Sequence, residues 1–199
     1  MAGIWWLVAG IWWLASGIWH LVAGRWRLRP CTATPGAWPP SLSPMASLGF
    51  RPEIDPDTGE SYLAIERRGV DLLKDPLLNK GTAFSEEERE AFGLWGLLPA
   101  HISTIEEQVD RFMEQYSLKT SDLGRNIELN ALLDASETLF YRVVTEHLEE
   151  LVPIIYTPTV AAACARWSRI FRRSRGIYIT PRDRGRMVDV LRSRPKWPR

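Results

Sequence analysis

Between residues 85 and 137 a capping pattern occurs three times, each time ahead of an apolar run: Ser85 with Glu88, Thr104 with Glu107, and Asp134 with Glu137. The first side chain accepts the N–H of the third helical residue, and the glutamate reaches back to the N–H of the cap, so each pair marks a helix start. The first helix is expected to reach Leu98 and the second Tyr116. The third carries Phe140, Val143, Val144, Leu148 and Leu151 at helical spacing until Pro153 stops it. Pro153-Ile154-Ile155 is too short for a helix and reads as a strand. Thr157-Pro158 has the form of an N-cap with proline in the first turn, which opens a fourth helix to about Phe171. Gly176–Thr180 reads as a short strand, and Thr180-Pro181 with Asp183 opens a last helix. The fold class is therefore mostly α with short strands.

The N-terminal part is different in kind. Gly3-Ile4-Trp5-Trp6-Leu7-Val8-Ala9 recurs with small changes from Gly10, from Gly17 and, decaying, from Gly24, so residues 1–29 form a tryptophan-rich heptapeptide repeat. A coiled-coil seam needs polar residues between its apolar positions, and the first three units have almost none. Residues 2–24 contain no Lys, Arg, Asp or Glu, and Arg25, Arg27 and Arg29 follow at once. That length suffices to cross a bilayer. A membrane segment, a non-native extension of translated repetitive DNA and an organelle presequence all stay open. Residues 30–68, with Pro30, Pro35, Pro39, Pro40, Pro44, Pro52 and Pro56, show no helical or strand period and read as a linker. Residues 69–195 then form the helical domain, and residues 196–199 a divergent tail. The segments before Met45 are expected to be dispensable for folding.

The formal net charge of +1 hides an asymmetry, since residues 52–165 hold 9 basic and 22 acidic residues, whereas residues 166–199 hold 12 basic and 2 acidic. Basic residues interleaved with Trp167, Phe171 and Trp197 suit a nucleic-acid surface, but the acidic remainder repels phosphate, so no nucleic-acid partner is expected. Cys31 in the linker and Cys164 in the fourth helix make no disulfide framework, and Cys164 reads as a small buried hydrophobe. A cytoplasmic location is compatible with both. His147 reads as a partly buried, hydrogen-bonded histidine, because no second ligand recurs at metal spacing.

Tyr156, in Pro153-Ile154-Ile155-Tyr156-Thr157-Pro158-Thr159-Val160, stands at the junction between an apolar run and a helix start, where elements on both sides hold it near the positive helix end. Taken alone it reads as a half-buried tyrosine whose hydroxyl finds a partner.

The wider text changes that reading. Leu77-Leu78-Asn79-Lys80-Gly81-Thr82-Ala83-Phe84-Ser85, Gly93-Leu94-Trp95-Gly96-Leu97-Leu98-Pro99, Glu137-Thr138-Leu139-Phe140-Tyr141-Arg142, Ile155-Tyr156-Thr157-Pro158-Thr159-Val160 and Arg172-Arg173-Ser174-Arg175-Gly176 follow one another in register. In this order they resemble the N-terminal portion of malic enzymes, the malate dehydrogenases that decarboxylate, from about Gly69 to Pro195. The resemblance implies the N-terminal helical domain of such an enzyme, lying before a Rossmann-type nucleotide-binding domain. It also implies the oxidation of L-malate by NAD or NADP, decarboxylation aided by Mg²⁺ or Mn²⁺, and protonation of enolpyruvate to pyruvate. The tyrosine of this motif is the family's proton donor, and carried over it is Tyr156. A free phenol, with a pKa near 10, is protonated at neutral pH and can donate, but becomes fast only beside a cation, in the family a lysine further along the chain.

The lysine, a substrate-binding arginine, the metal-binding carboxylates and the nucleotide-binding segments of the family have no counterpart in these residues. Neither a Gly-x-Gly-x-x-Gly after a strand nor a carboxylate cluster beside the tyrosine motif is found. The chain is therefore expected to be inactive alone and to bind neither cofactor nor metal fully. Of the three residues of the family's fumarate site only Arg111 matches; Ala135 and Ser103 occupy the other two positions, so no fumarate activation is expected. The resemblance further implies homo-oligomers or association with intact malic enzyme subunits. A non-catalytic association module and a membrane-tethered helical protein are the alternatives to a fragment of the enzyme.

Overall fold

The computed structural model of the protein describes residues 27–30, 50–174 and 177–192. The membrane reading of residues 2–24, Cys31, Met45 and the tail 196–199 lie outside them. The chain divides into two compact units, one built on Arg68–Ile170 and the other on Arg27–Arg67 with the segment from Phe171.

The helical unit begins with α1 (Gly69–Leu73), a 3-10 turn at Gly81–Ala83 and α2 (Glu86–Phe92). It continues with α3 (Ile105–Ser117), α4 (Asp122–Ala135), α5 (Glu137–Glu146), α6 (Leu148–Ile155), α7 (Thr159–Ala165) and α8 (Trp167–Ile170). Both expected capping boxes at α2 and α3 are formed, through Ser85 with Glu88 and Thr104 with Glu107. The first helix stops at Phe92 and not at Leu98, because Gly93 takes φ +67, a left-handed cap that glycine adopts without strain. The core brings together Val109, Phe112 and Tyr116 of α3, Leu129 of α4, Phe140, Val143 and Val144 of α5, and Leu151, Ile154 and Ile155 of α6.

Several local expectations are corrected. The third start lies at Ser136, whose Oγ accepts the Leu139 N–H at 3.3 Å, and Asp134 belongs to α4, a helix the sequence reading passed over. The apolar stripe is broken at His147, which is half-buried at the joint between α5 and α6. Pro153-Ile154-Ile155 is the end of helix α6 and not a strand. Proline inside a helix costs about 3 kcal/mol, but each fully buried aliphatic side chain returns about 1.5–3 kcal/mol, and α6 buries Leu151, Ile154 and Ile155 on one face. The bond that Pro153 cannot make would have gone to the carbonyl of Glu149, an exposed residue that water reaches. The fourth helix breaks at Arg166 into α7 and α8, and Cys164 on α7 is exposed, not buried.

In the second unit, β1 (Arg27–Pro30), β2 (Phe50–Ile54) and β3 (Ser61–Ile65) form a sheet of order β1-β3-β2, with β1 parallel and β2 antiparallel to β3. The stretch 30–68 therefore contains two strands where no strand period was expected. Pro30 and Pro52 sit on edge strands, where a missing N–H breaks no central ladder. The β2–β3 turn is built on Asp55, whose Oδ1 accepts the N–H groups of Asp57 at 2.9 Å and Thr58 at 3.3 Å, and Gly59 closes it at φ +69. Residues 177–180 are not a strand. Thr180 and Asp183 do pair, the Thr180 N–H and hydroxyl both donating to Asp183 Oδ2 at 2.9 Å, but they close only a 3-10 turn at Pro181–Asp183, and α9 (Met187–Arg192) follows.

Candidate functional site

The tyrosine motif is an anchored break between two helices. Ile154 and Ile155 at the end of α6 are buried, as are Thr159 and Val160 at the start of α7, whereas Tyr156, Thr157 and Pro158 between them are exposed. The buried pairs tie the segment into the core at both ends, and the residues between are left on the surface. Tyr156 has an extended backbone at φ −124 and ψ −157. Its N–H donates to the Val152 carbonyl at 2.9 Å, and its carbonyl accepts the Val160 N–H at 2.9 Å, so one residue is bonded to both helices. The Thr157–Pro158 peptide is cis. The N-cap of α7 is Pro158 and not Thr157, with no side-chain cap, which corrects the expected N-cap.

The phenol differs from its expected environment. Tyr156 is 42% exposed, and among the described residues its hydroxyl makes no hydrogen bond where a partnered one was expected. The second and third N–H groups of α7 are also occupied, Val160 bonding Tyr156 and Ala161 bonding Pro158 at 3.1 Å, so the helix start uses these donors on its own backbone. The ring is thus presented outward by a fixed backbone, available to a group outside the unit.

A second feature of the site was not foreseen. Asn126 on α4, 5% exposed, donates from Nδ2 to the Ile154 carbonyl at 2.9 Å. Asn130, one turn on, donates from its own Nδ2 to the Asn126 carbonyl at 2.8 Å and to Asn126 Oδ1 at 3.2 Å. Nothing in the residues of α4 alone points to residue 154.

The remaining sequence candidates lie elsewhere. Arg111 is exposed and donates to Thr82 Oγ1 at 3.4 Å; the Ser103 N–H donates to the Thr82 carbonyl at 3.1 Å; Ala135 offers its carbonyl to Asn79 Nδ2 at 3.1 Å. Serine and alanine at two of these positions supply no charge to a dicarboxylate. Arg172 and Arg173 are exposed in the second unit. Among the described residues no three His, Cys, Asp or Glu side chains come together to hold a metal ion. The divalent ion that the resemblance implies has no ligand set among them.

Comparison with known proteins bears on the same segment. The sequence profile described as malic enzyme, N-terminal domain, matches residues 133–198, which include Tyr156. The NAD-dependent malic enzyme of Pseudomonas aeruginosa (strain LESB58) is 51% identical over 140 residues, 70% of this chain and 25% of that protein. The NAD-dependent malic enzyme of Enterobacter sp. (strain 638) is 52% identical over 133 residues, 67% of this chain and 24% of its own length. That of Acinetobacter baylyi is 50% identical over 137 residues, 69% and 24%. The chain spans about a quarter of the length of the curated relatives it matches.

Proposed function

From the premise that this chain carries the N-terminal portion of a malic enzyme, we propose that it supplies the proton-donor side of an NAD-dependent oxidative decarboxylation of L-malate, with Tyr156 as the donor. The observation that carries the reading is the exposed phenol on a backbone tied to α6 and α7, inside the segment shared with the relatives. A phenol so presented can approach C3 of enolpyruvate. Its O–H bond breaks as the new C–H bond forms at C3, the enol O–H gives its proton to a base that this unit does not supply as the C2–O bond becomes the ketone of pyruvate, and the phenolate left behind needs a cation that the described residues do not place on it. That cation, the base, the nucleotide site and the metal ligands would come from the other three quarters of a protein of the relatives' length, since the described residues do not bring them together. NAD is favoured over NADP by the relatives' own names. The chain alone is proposed to be inactive.

The test is a chimera in which this chain replaces the matching quarter of the Pseudomonas aeruginosa enzyme. It should reduce NAD with malate. Tyr156→Phe keeps the ring and removes the proton, so turnover should fall roughly 10²–10⁴-fold, the usual worth of a positioned acid. An active chimera whose phenylalanine variant turns over at the parent rate would refute the assignment, and malate oxidation by the 199-residue chain alone would refute its inactivity.

A second reading, an association module for like or intact subunits, is favoured by one observation. Phe171, Tyr178, Ile179, Met187, Val188 and Leu191 of the second unit are each about half exposed, apolar side chains that water does not favour. Sedimentation of the chain at rising concentration should show dimers or larger species; a monomer throughout counts against it.

A further inference from the structure

We infer that Asn126 is a positioning residue for Tyr156, a role carried by the hydrogen bond from its buried amide to the Ile154 carbonyl, two residues before the tyrosine. The need for it follows from the chain. In a continuing helix the Ile154 carbonyl would accept the N–H of residue 158, but residue 158 is proline and has none. The last turn of α6 therefore lacks a bond where the chain leaves the helix, and a buried carbonyl left unpaired is destabilising. Asn126 Nδ2 fills that vacancy from the neighbouring helix at 2.9 Å. Asn130 holds Asn126 Oδ1 at 3.2 Å, which turns the amide so that its N–H₂, and not its oxygen, faces Ile154.

The consequence for the phenol is direct, because Tyr156 has no hydrogen bond at its hydroxyl among the described residues and is 42% exposed. Its placement is inherited from its backbone. That backbone hangs from α6 through the Val152 carbonyl and from α7 through the Val160 N–H, and the α6 side is stapled to α4 through Ile154. With the staple removed, the end of α6 has one fewer bond holding it, and the phenol moves with it. The catalytic meaning of this rests on the proton-donor reading of Tyr156. The test reads ring position and not turnover, so the two can fail separately.

3-Fluorotyrosine placed at position 156 of the full chain gives a ¹⁹F resonance that reports the ring's environment, and the same probe at Tyr141 serves as a control in the same helical unit. Asn126→Leu, similar in size and without a donor, should shift or broaden the resonance at 156 and leave that at 141 in place. Asn126→Gln, which restores a carboxamide, should bring the resonance back toward the parent position. Asn130→Ala, made at an exposed residue, frees the Asn126 amide to turn and should produce a smaller shift of the same sign, which keeps the test decisive if Asn126→Leu does not fold. An unchanged resonance at 156 in a folded variant overturns the inference, as do equal changes at 156 and 141, which would mean general loosening of the unit.

Discussion

Arg29 Nη2 lies 2.6 Å from Asp55 Oδ2, joining β1 to the turn between β2 and β3. The same carboxylate organises the turn through its other oxygen, so one buried aspartate holds a tight turn and a strand distant in sequence. The Asp57 N–H holds the Asp55 carboxyl below its ordinary 3.8; burial opposes this, and the Thr58 N–H and the Arg29 guanidinium add to the lowering. A carboxyl whose pKa is depressed by folding contributes stability above its ordinary value, and that contribution is lost as pH falls through the lowered one. Amide protection in β2 and β3 should thus hold at pH 5–7 and decline below about 3.8. Asp55→Asn should flatten this dependence; an equally steep acid decline in the variant would show that another group is responsible.

The same pairing bears on how much of the N-terminus the fold needs. The sequence marks everything before Met45 as dispensable, yet β1 runs in register with β3 from Arg27↔Tyr62 to Pro30↔Ile65, and Leu28 is 6% exposed. A chain starting at Arg27 should keep the sheet. One starting at Met45 should keep the helical unit, read by circular dichroism, and lose hydrogen-exchange protection on the β1 side of β3. Equal protection in both chains would mean that β1 adds nothing.

Arg89 is a third point of leverage. Its guanidinium is fully buried with no carboxylate partner among the described residues and donates to the carbonyls of Phe84 at 3.0 Å, Pro99 at 2.6 Å, Thr82 at 3.1 Å and His101 at 3.2 Å. One side chain thus satisfies the loops before α2 and before α3. Arg89→Met should destabilise the helical unit by about 3 kcal/mol or more, since several buried carbonyls lose their donors together. Arg89→Lys should recover little of this, because a single ammonium cannot span the fork. Urea unfolding checks both, and a change within about 0.5 kcal/mol, typical of surface sites, would contradict the staple.

The helical character was legible where local chemistry acts within one turn, as at Ser85 and Thr104, whose caps need only residues three apart. It was illegible where a distant partner decides. Pro153 looks like a terminator until Leu151, Ile154 and Ile155 are seen to bury together, and α4 has no strong apolar stripe to announce it. The hairpin was written in Asp55-Pro56-Asp57-Thr58-Gly59, but the prolines around it obscured strands that tolerate them only because they are edges. At the candidate site the tyrosine was legible as a motif, whereas its exposure and the Asn126 staple belong to the packing of α4 against α6.

Two tyrosines of the helical unit should answer differently to the loss of a hydroxyl. Tyr116 on α3 is 1% exposed, and among the described residues its hydroxyl has no hydrogen-bond partner. Burial raises its pKa, against the opposing pull of the Arg125 guanidinium, which lies over the ring at 5.6 Å. A buried hydroxyl that surrenders water without a partner costs about 1–3 kcal/mol, and phenylalanine keeps the ring, its packing on Phe112 and its contact with Arg125. Tyr116→Phe should therefore raise the unfolding midpoint by about 1 kcal/mol of stability. Tyr156→Phe, losing a hydroxyl that is open to water, should leave stability within about 0.5 kcal/mol, the range of surface changes. Urea titrations of the two variants beside the parent chain make the comparison. A Tyr116→Phe chain less stable than the parent would mean that its hydroxyl is satisfied after all, by a buried water, and a large loss at Tyr156→Phe would mean that its hydroxyl is structural.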